Sequence, residues 1–194
     1  MENRPFKPMH IFQTILDLHK EKIVIDDKLD MLNLYYTIET FLQNCRTNNM
    51  HFSNYLYEKV VLSYNQLSDE LKKSMNVIYY PAIAYYDLKK QDYENAINNL
   101  NNSIVYIEKL ENLDVNFVFA KIEQTINKYK VNVKNKNLIE ANKIGLSISN
   151  FLLTGKSSEY ITKSVLYSSI PKKEKDDYYS HFVSIFENDF KTNN

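Results

Sequence analysis

The sequence predicts an all-α fold built of antiparallel helix pairs. Three observations predict it. Apolar residues recur at helical spacing along almost the whole chain. Alternating runs of period two are nearly absent, with only 22–25 and 130–134 hinting at extended structure. The breaks between successive stripes are a few residues long, which makes consecutive helices antiparallel neighbours.

Each stripe can be read in turn. Between Asp26 and Arg46 it runs Met31, Leu34, Tyr35, Ile38, Phe41, Leu42, Cys45, with Asp26, Asp27 and Asp30 in a first turn that suits acidic groups. Between Asp92 and Glu111 it runs Tyr93, Ala96, Ile97, Leu100, Ile104, Ile107, opposite a polar face of Glu94, Asn95, Asn98, Asn101 and Asn102. Val115, Val118, Phe119, Ile122, Ile126, Tyr129 and Val133 form the next. Leu138, Ala141, Ile144, Gly145, Ile148, Phe151 and Leu152 follow, and Tyr178, Tyr179, Phe182, Ile185, Phe186 and Phe190 form the last. Thr47-Asn48-Asn49, Lys89-Lys90-Gln91, Lys134-Asn135-Lys136 and Thr154-Gly155-Lys156 are the breaks. Pro171 suits the first turn of a final helix, whereas Pro81, inside Tyr79-Tyr80-Pro81-Ala82, either starts a helix or kinks one.

Composition narrows the function. The 194 residues carry 24 basic and 24 acidic side chains, with 2 Gly, 1 Cys and no Trp. Two glycines cannot furnish a dinucleotide-binding or P-loop cradle, and one cysteine makes neither a disulfide framework nor a cysteine-based zinc site. Zero net charge, with Lys outnumbering Arg 22 to 2, argues against a nucleic-acid partner. No stretch approaches 18 consecutive apolar residues, so no membrane partner is expected, and no apolar leader precedes the first stripe. Cytoplasmic residence is the expectation, and the lone Cys45 agrees with a reducing compartment.

Candidate chemistry has a structural explanation at each position. His10, His19, His51 and His181 form no metal-ligand spacing, and His19 reads as a histidine at the edge of a core. Gly155-Lys156-Ser157 lacks the upstream glycine of a phosphate loop, since Asn150 stands there; Gly155 reads as a helix end, with Ser157 or Ser158 capping the next helix. The acidic clusters sit at helix starts, and the Lys128, Lys130, Lys134, Lys136 run reads as a solvated helix end. Cys45 lies on an apolar stripe and reads as a buried thiol. No catalytic residue, cofactor or metal is expected. The unexplained excess is tyrosine: Tyr79, Tyr80, Tyr85, Tyr86 and Tyr93 fall within fifteen residues.

Three segments superimpose: His51-Phe52-Ser53-Asn54, Asp92-Tyr93-Glu94-Asn95-Ala96-Ile97 and Asn137-Leu138-Ile139-Glu140-Ala141-Asn142. Pairing Phe52, Tyr93 and Leu138 gives intervals of 41 and 45 residues. The stretch from Ala82 to Ile97 resembles a tetratricopeptide repeat, with Tyr85 and Tyr86 on the first helix, Tyr93 at the turn and small Ala96 opening the second. Gln91 stands where that family usually has Gly, and Ser103 where it has Ala. The resemblance covers 77–111 best, extends to 113–153 and is weakest over 26–67.

That resemblance implies a short α-solenoid, the alternative being a closed helical bundle. It implies a single domain over 1–194 with helix pairs near 26–67, 68–111, 113–153 and 157–190. It also implies a non-catalytic module that binds a protein or peptide, with first helices lining the concave face. Tyr79, Tyr86 and Lys90 on one first helix, and Asn116, Glu123 and Asn127 on the next, are then the candidate contacts. An immunity protein or antitoxin that neutralises a partner is the alternative within binding, an enzyme with an unrecognised site the alternative outside it. Homo-oligomerisation stays open.

Overall fold

The computed structural model describes residues 8–21 and 24–192, and those residues are all-α. The helices are α1 (Pro8–His19), α2 (Ile25–Arg46), α3 (Met50–Gln66), α4 (Asp69–Lys89), α5 (Tyr93–Leu110), α6 (Val115–Lys134), α7 (Leu138–Thr154) and α8 (Lys172–Thr192), with a 3-10 turn at Val165–Ser169. No strand occurs among the described residues, and none of their helices is long and apolar enough to cross a membrane.

The chain divides into two compact units, with the division at Tyr106–Ile107, in the last turn of α5. In the first, residues 8–106, α4 packs against α1, α2 and α3. Its core is Met31, Leu34, Ile38, Phe41 and Cys45 of α2, Val60 of α3 and Met75, Ala82 and Ala84 of α4. In the second, residues 107–192, α6 and α7 pair and α8 covers α7. Val118, Ile122, Ile126, Ile144, Ile148, Phe151, Tyr178 and Phe182 fill that core.

The turns joining α2 to α3, α4 to α5 and α6 to α7 are built alike. Asn48, Gln91 and Lys136 each adopt the left-handed conformation, with φ of 57°, 62° and 59°. Their amides donate to the carbonyls of Cys45, Leu88 and Val133, three residues back, at 3.0–3.2 Å. The next amides, of Asn49, Asp92 and Asn137, donate five residues back to Asn44, Asp87 and Asn132 at 2.9–3.0 Å. These paired bonds satisfy the open carbonyls at the end of the first helix and reverse the chain. The same Asn49, Asp92 and Asn137 then cap the second helix, their side-chain oxygens accepting from the amides of Phe52, Asn95 and Glu140. Four residues after each cap comes a small, buried side chain, Ser53, Ala96 or Ala141.

This frame runs at intervals of 43 and 45 residues, from Asn48 to Gln91 to Lys136. It places Met50, not Phe52, level with Tyr93 and Leu138. The sequence superposition was two residues out in the first segment because Phe52 mimics the aromatic Tyr93, while the cap Asn49 sets the register.

Pro81 starts no helix. It sits inside α4, which runs unbroken from Asp69 to Lys89. Ser68 caps that helix thirteen residues earlier, so its start is already fixed, and Pro81 denies the Val77 carbonyl its helical donor. The segment after α7 also departs from expectation. Gly155 ends α7 in the left-handed conformation, but no helix starts at Ser157 or Ser158. Ser157 Oγ instead accepts from the Lys163 amide at 3.0 Å and Ser158 Oγ from the Tyr160 amide at 3.3 Å, shaping a loop. Pro171 immediately precedes α8, and its carbonyl accepts from the Lys175 amide.

The left-handed residues give a direct test. A side chain there costs roughly 1–2 kcal/mol that glycine avoids, less glycine's extra unfolded-state entropy. Gln91→Gly and Lys136→Gly are each expected to stabilise the protein by about 0.5–1 kcal/mol in urea unfolding. Asn48→Gly should gain less, because asparagine tolerates this conformation.

Candidate functional site

Tyr57, Tyr64, Tyr79, Tyr80, Tyr86 and Tyr106 of the first unit lie on α3, α4 and α5, and Tyr35 and Tyr36 lie on α2. Tyr64 of α3 stacks on Tyr79 of α4, with centroids 3.9 Å apart and planes within 13°. Tyr80 meets Tyr79 edge-on at 5.5 Å and Tyr106 of α5 at 6.1 Å. About two turns along, Tyr57 of α3 stacks on Tyr86 of α4 at 4.8 Å, and Phe41 of α2 closes against both. Tyr79 and Tyr80 are adjacent on α4, one toward Tyr64 of α3 and the other toward Tyr106 of α5, while Tyr86 packs against α2 and α3. Each ring pair adds roughly 0.5–1.5 kcal/mol beyond the area it buries.

The phenol tips are tethered. Tyr64 Oη donates to Asn76 Oδ1 at 2.6 Å, and Tyr86 Oη donates to Asn54 Oδ1 at 2.8 Å. Lys72 lies over the Tyr64 ring and Lys90 over the Tyr86 ring, at 5.9 and 5.1 Å. Asp87 of α4 accepts from Asn99 Nδ2 of α5 at 2.8 Å. Burial pushes the Tyr64 phenol up to about 12, helped by Tyr80 and Tyr106, while the Asn76 bond works the other way. Burial also raises Tyr79, Tyr80 and the Asp87 carboxyl. Burial thus favours the neutral phenol at Tyr64, Tyr79 and Tyr80.

The sequence-selected residues fall in both units. Tyr86 is buried in the packing of α2, α3 and α4. Tyr79 is half-buried on the same side of α4, and Lys90 is exposed at its end. In the second unit, Asn116, Glu123 and Asn127 lie half-buried along one face of α6. The Asn116 amide donates to Asp114 Oδ1 at 2.7 Å and Asn127 Nδ2 donates to Gln124 Oε1 at 3.0 Å; burial raises the Tyr178 phenol, and the Glu123 charge adds to it.

The pattern search missed Tyr57, Tyr64 and Tyr106, which complete the cluster from neighbouring helices. It also missed a buried charge. Lys121 of α6 is wholly buried and paired with the Glu111 carboxylate. Its ammonium also donates to Thr162 O at 3.0 Å and Thr162 Oγ1 at 3.1 Å. Thr162 Oγ1 in turn donates to Glu108 Oε1 at 2.6 Å. Three acceptors match the three protons of the ammonium, so the group pins the loop after α7 to α6. The available signal was a lysine inside the apolar run Phe117-Val118-Phe119-Ala120-Lys121-Ile122. Cys45 is buried, with burial pushing its thiol up, and no three His, Cys, Asp or Glu among the described residues are grouped as metal ligands.

Two measurements test the cluster. Tyr64→Phe strands the buried Asn76 carbonyl and should cost about 1–2 kcal/mol, whereas Tyr86→Phe should cost less because exposed Asn54 can turn to water. Tyr35 and Tyr64 are held at about 12 against the ordinary 10.0, so folding favours their neutral forms. That stability is complete below pH 10 and is lost as pH rises through about 12. In an alkaline titration, tyrosinate absorbance should show a late class of phenols that ionises together with the loss of helical circular dichroism. The chain matches no family model, no curated protein and no solved structure.

Proposed function

We propose that the protein is a non-catalytic helical-repeat module, resembling tetratricopeptide repeats, that binds a protein or peptide partner. The observation that carries this reading is the recurrence of one turn, cap and small-residue pattern at Asn48–Ser53, Gln91–Ala96 and Lys136–Ala141. Recurrence at 43 and 45 residues is what a chain assembled from helix-hairpin units produces, and such units commonly present extended recognition faces. The half-buried phenols supply the chemistry. Tyrosine offers a large rigid contact area with a hydrogen-bonding tip and loses little conformational entropy on binding. Recognition proceeds by shape and by hydrogen bonds to Tyr79, Tyr80 and Tyr106, with Asp87 and Lys90 setting the polarity of what fits. The setting is cytoplasmic, in keeping with a single unpaired buried cysteine.

Affinity capture from the native cell tests this. The wild-type chain should retain a specific protein that a Tyr80→Lys/Tyr106→Lys variant loses, at a cost of about 2 kcal/mol or thirtyfold in Kd, with unchanged helicity. Equal retention by both proteins, or no partner specific to the wild type, overturns the proposal.

A further inference from the structure

α7 is apolar on two sides. Its inner side, Ala141, Ile144, Gly145, Ile148, Phe151 and Leu152, is buried in the packing with α6 and α8. Its outer side carries Ile139, Leu146 and Leu153, which are 75%, 68% and 64% exposed. An interval of seven residues is close to two helical turns, so the three side chains stand in one row, about 10 Å apart and about 21 Å from end to end.

Charge is scarce around that row. The 17 residues of α7 hold one acidic and one basic side chain, Glu140 and Lys143, in a chain of which 25% is charged. Those two lie 3.9 Å apart and offset one another. Asn142, Ser149 and Asn150 flank the row, and they can donate and accept across a contact without the desolvation cost of an ion. A surface helix ordinarily turns charged residues outward, whereas the centre of a protein contact is depleted in them. The row exposes roughly 400 Å² of apolar surface, the size of patch that marks an interaction site.

We infer that this row pairs with the same row of a second copy of the chain, antiparallel, to form a weak two-fold dimer. The row is its own complement. Ile139 and Leu153 lie seven residues to either side of Leu146, so a two-fold axis at Leu146 sets that residue on its counterpart and Ile139 on Leu153 at both ends. The same axis brings Asn142 level with Asn150 and Lys143 level with Ser149, so no like charges oppose each other along α7. The formal net charge of zero lets two copies approach without long-range repulsion. Two such rows with their flanking amides bury roughly 1,000 Å², the lower end for protein interfaces, which fits a reversible dimer in the micromolar range rather than an obligate one. The pairing does not depend on the phenol cluster, which belongs to the other unit.

Sedimentation velocity of the full chain, from low micromolar to near-millimolar concentration, should show monomer passing to dimer. Leu146→Glu sets two carboxylates on the axis and should weaken the dimer about tenfold or more. Helical circular dichroism and cooperative unfolding should be unchanged in that variant, because Leu146 is exposed in the single chain. Orientation is read with a short bis-maleimide cross-linker, which the buried Cys45 does not confuse. Leu146→Cys should cross-link to itself, and Ile139→Cys should cross-link to Leu153→Cys but not to itself. A chain that stays monomeric at every concentration overturns the inference. So does a dimer that Leu146→Glu leaves intact, or one in which Ile139→Cys copies join each other. A monomeric chain that captures a different protein through Leu146 overturns it as well. Tyr80→Lys/Tyr106→Lys should dimerise as wild type does, so failure here and failure of the phenol face are separate results.

Discussion

The hydrogen-bonded reversal at the end of each first helix is the constraint on which the rest depends. A left-handed residue followed at once by a capping Asn or Asp leaves no free connecting chain, so the second helix must run back along the first. The caps fix not only direction but phase. Once Asn49, Asp92 or Asn137 is placed, the residue four further on faces inward, and a small side chain there lets the helices close. Ser53, Ala96 and Ala141 are buried for that reason. Gly145 extends the logic to a third helix, since a Cβ at that position would stand 2.7 Å from the Phe186 ring of α8.

α4 carries the greatest structural demand in the first unit. It meets α1, α2, α3 and, through Asp87 and Tyr80, α5. A helix enclosed on several sides cannot be amphipathic in the ordinary sense, and α4 shows the consequence: Ser74, Met75, Asn76, Val77 and Ile78 are buried in succession. Polar members of that run need partners. Asn76 finds the Tyr64 hydroxyl and Ser74 finds His19. Tyrosine is placed where two helices meet at the margin of the core: the ring stacks, and the oxygen reaches an asparagine. This accounts for much of the tyrosine excess, and Tyr86 in particular is a packing residue whose hydroxyl is already engaged.

Legibility in the sequence followed the same physics. Periodicity exposed α2, α5, α6 and α7, whose apolar stripes are clean. The breaks at 47–49, 89–91 and 134–136 were visible because polar residues interrupt those stripes. Register was harder. The side-chain oxygen of a cap carries more positional information than the aromatic residue near it, and matching Phe52 to Tyr93 lost two residues as a result. Pro81 was ambiguous because local rules weigh a proline against its own turn only, whereas α4 is held on several sides by neighbours. The cluster itself was half legible. Tyr79, Tyr80 and Tyr86 announce themselves by density, but Tyr57, Tyr64 and Tyr106 join from other helices, and contacts of that separation have no local signature. Lys121 and Glu111 belong to the same class, ten residues apart and joined only when α6 turns back.

In the phenol cluster the rings pack against one another and the Tyr64 and Tyr86 hydroxyls are tethered, so the ordering of these side chains is completed on folding. A surface of that kind contributes contact without a large conformational cost, and what it gains is set by what it touches.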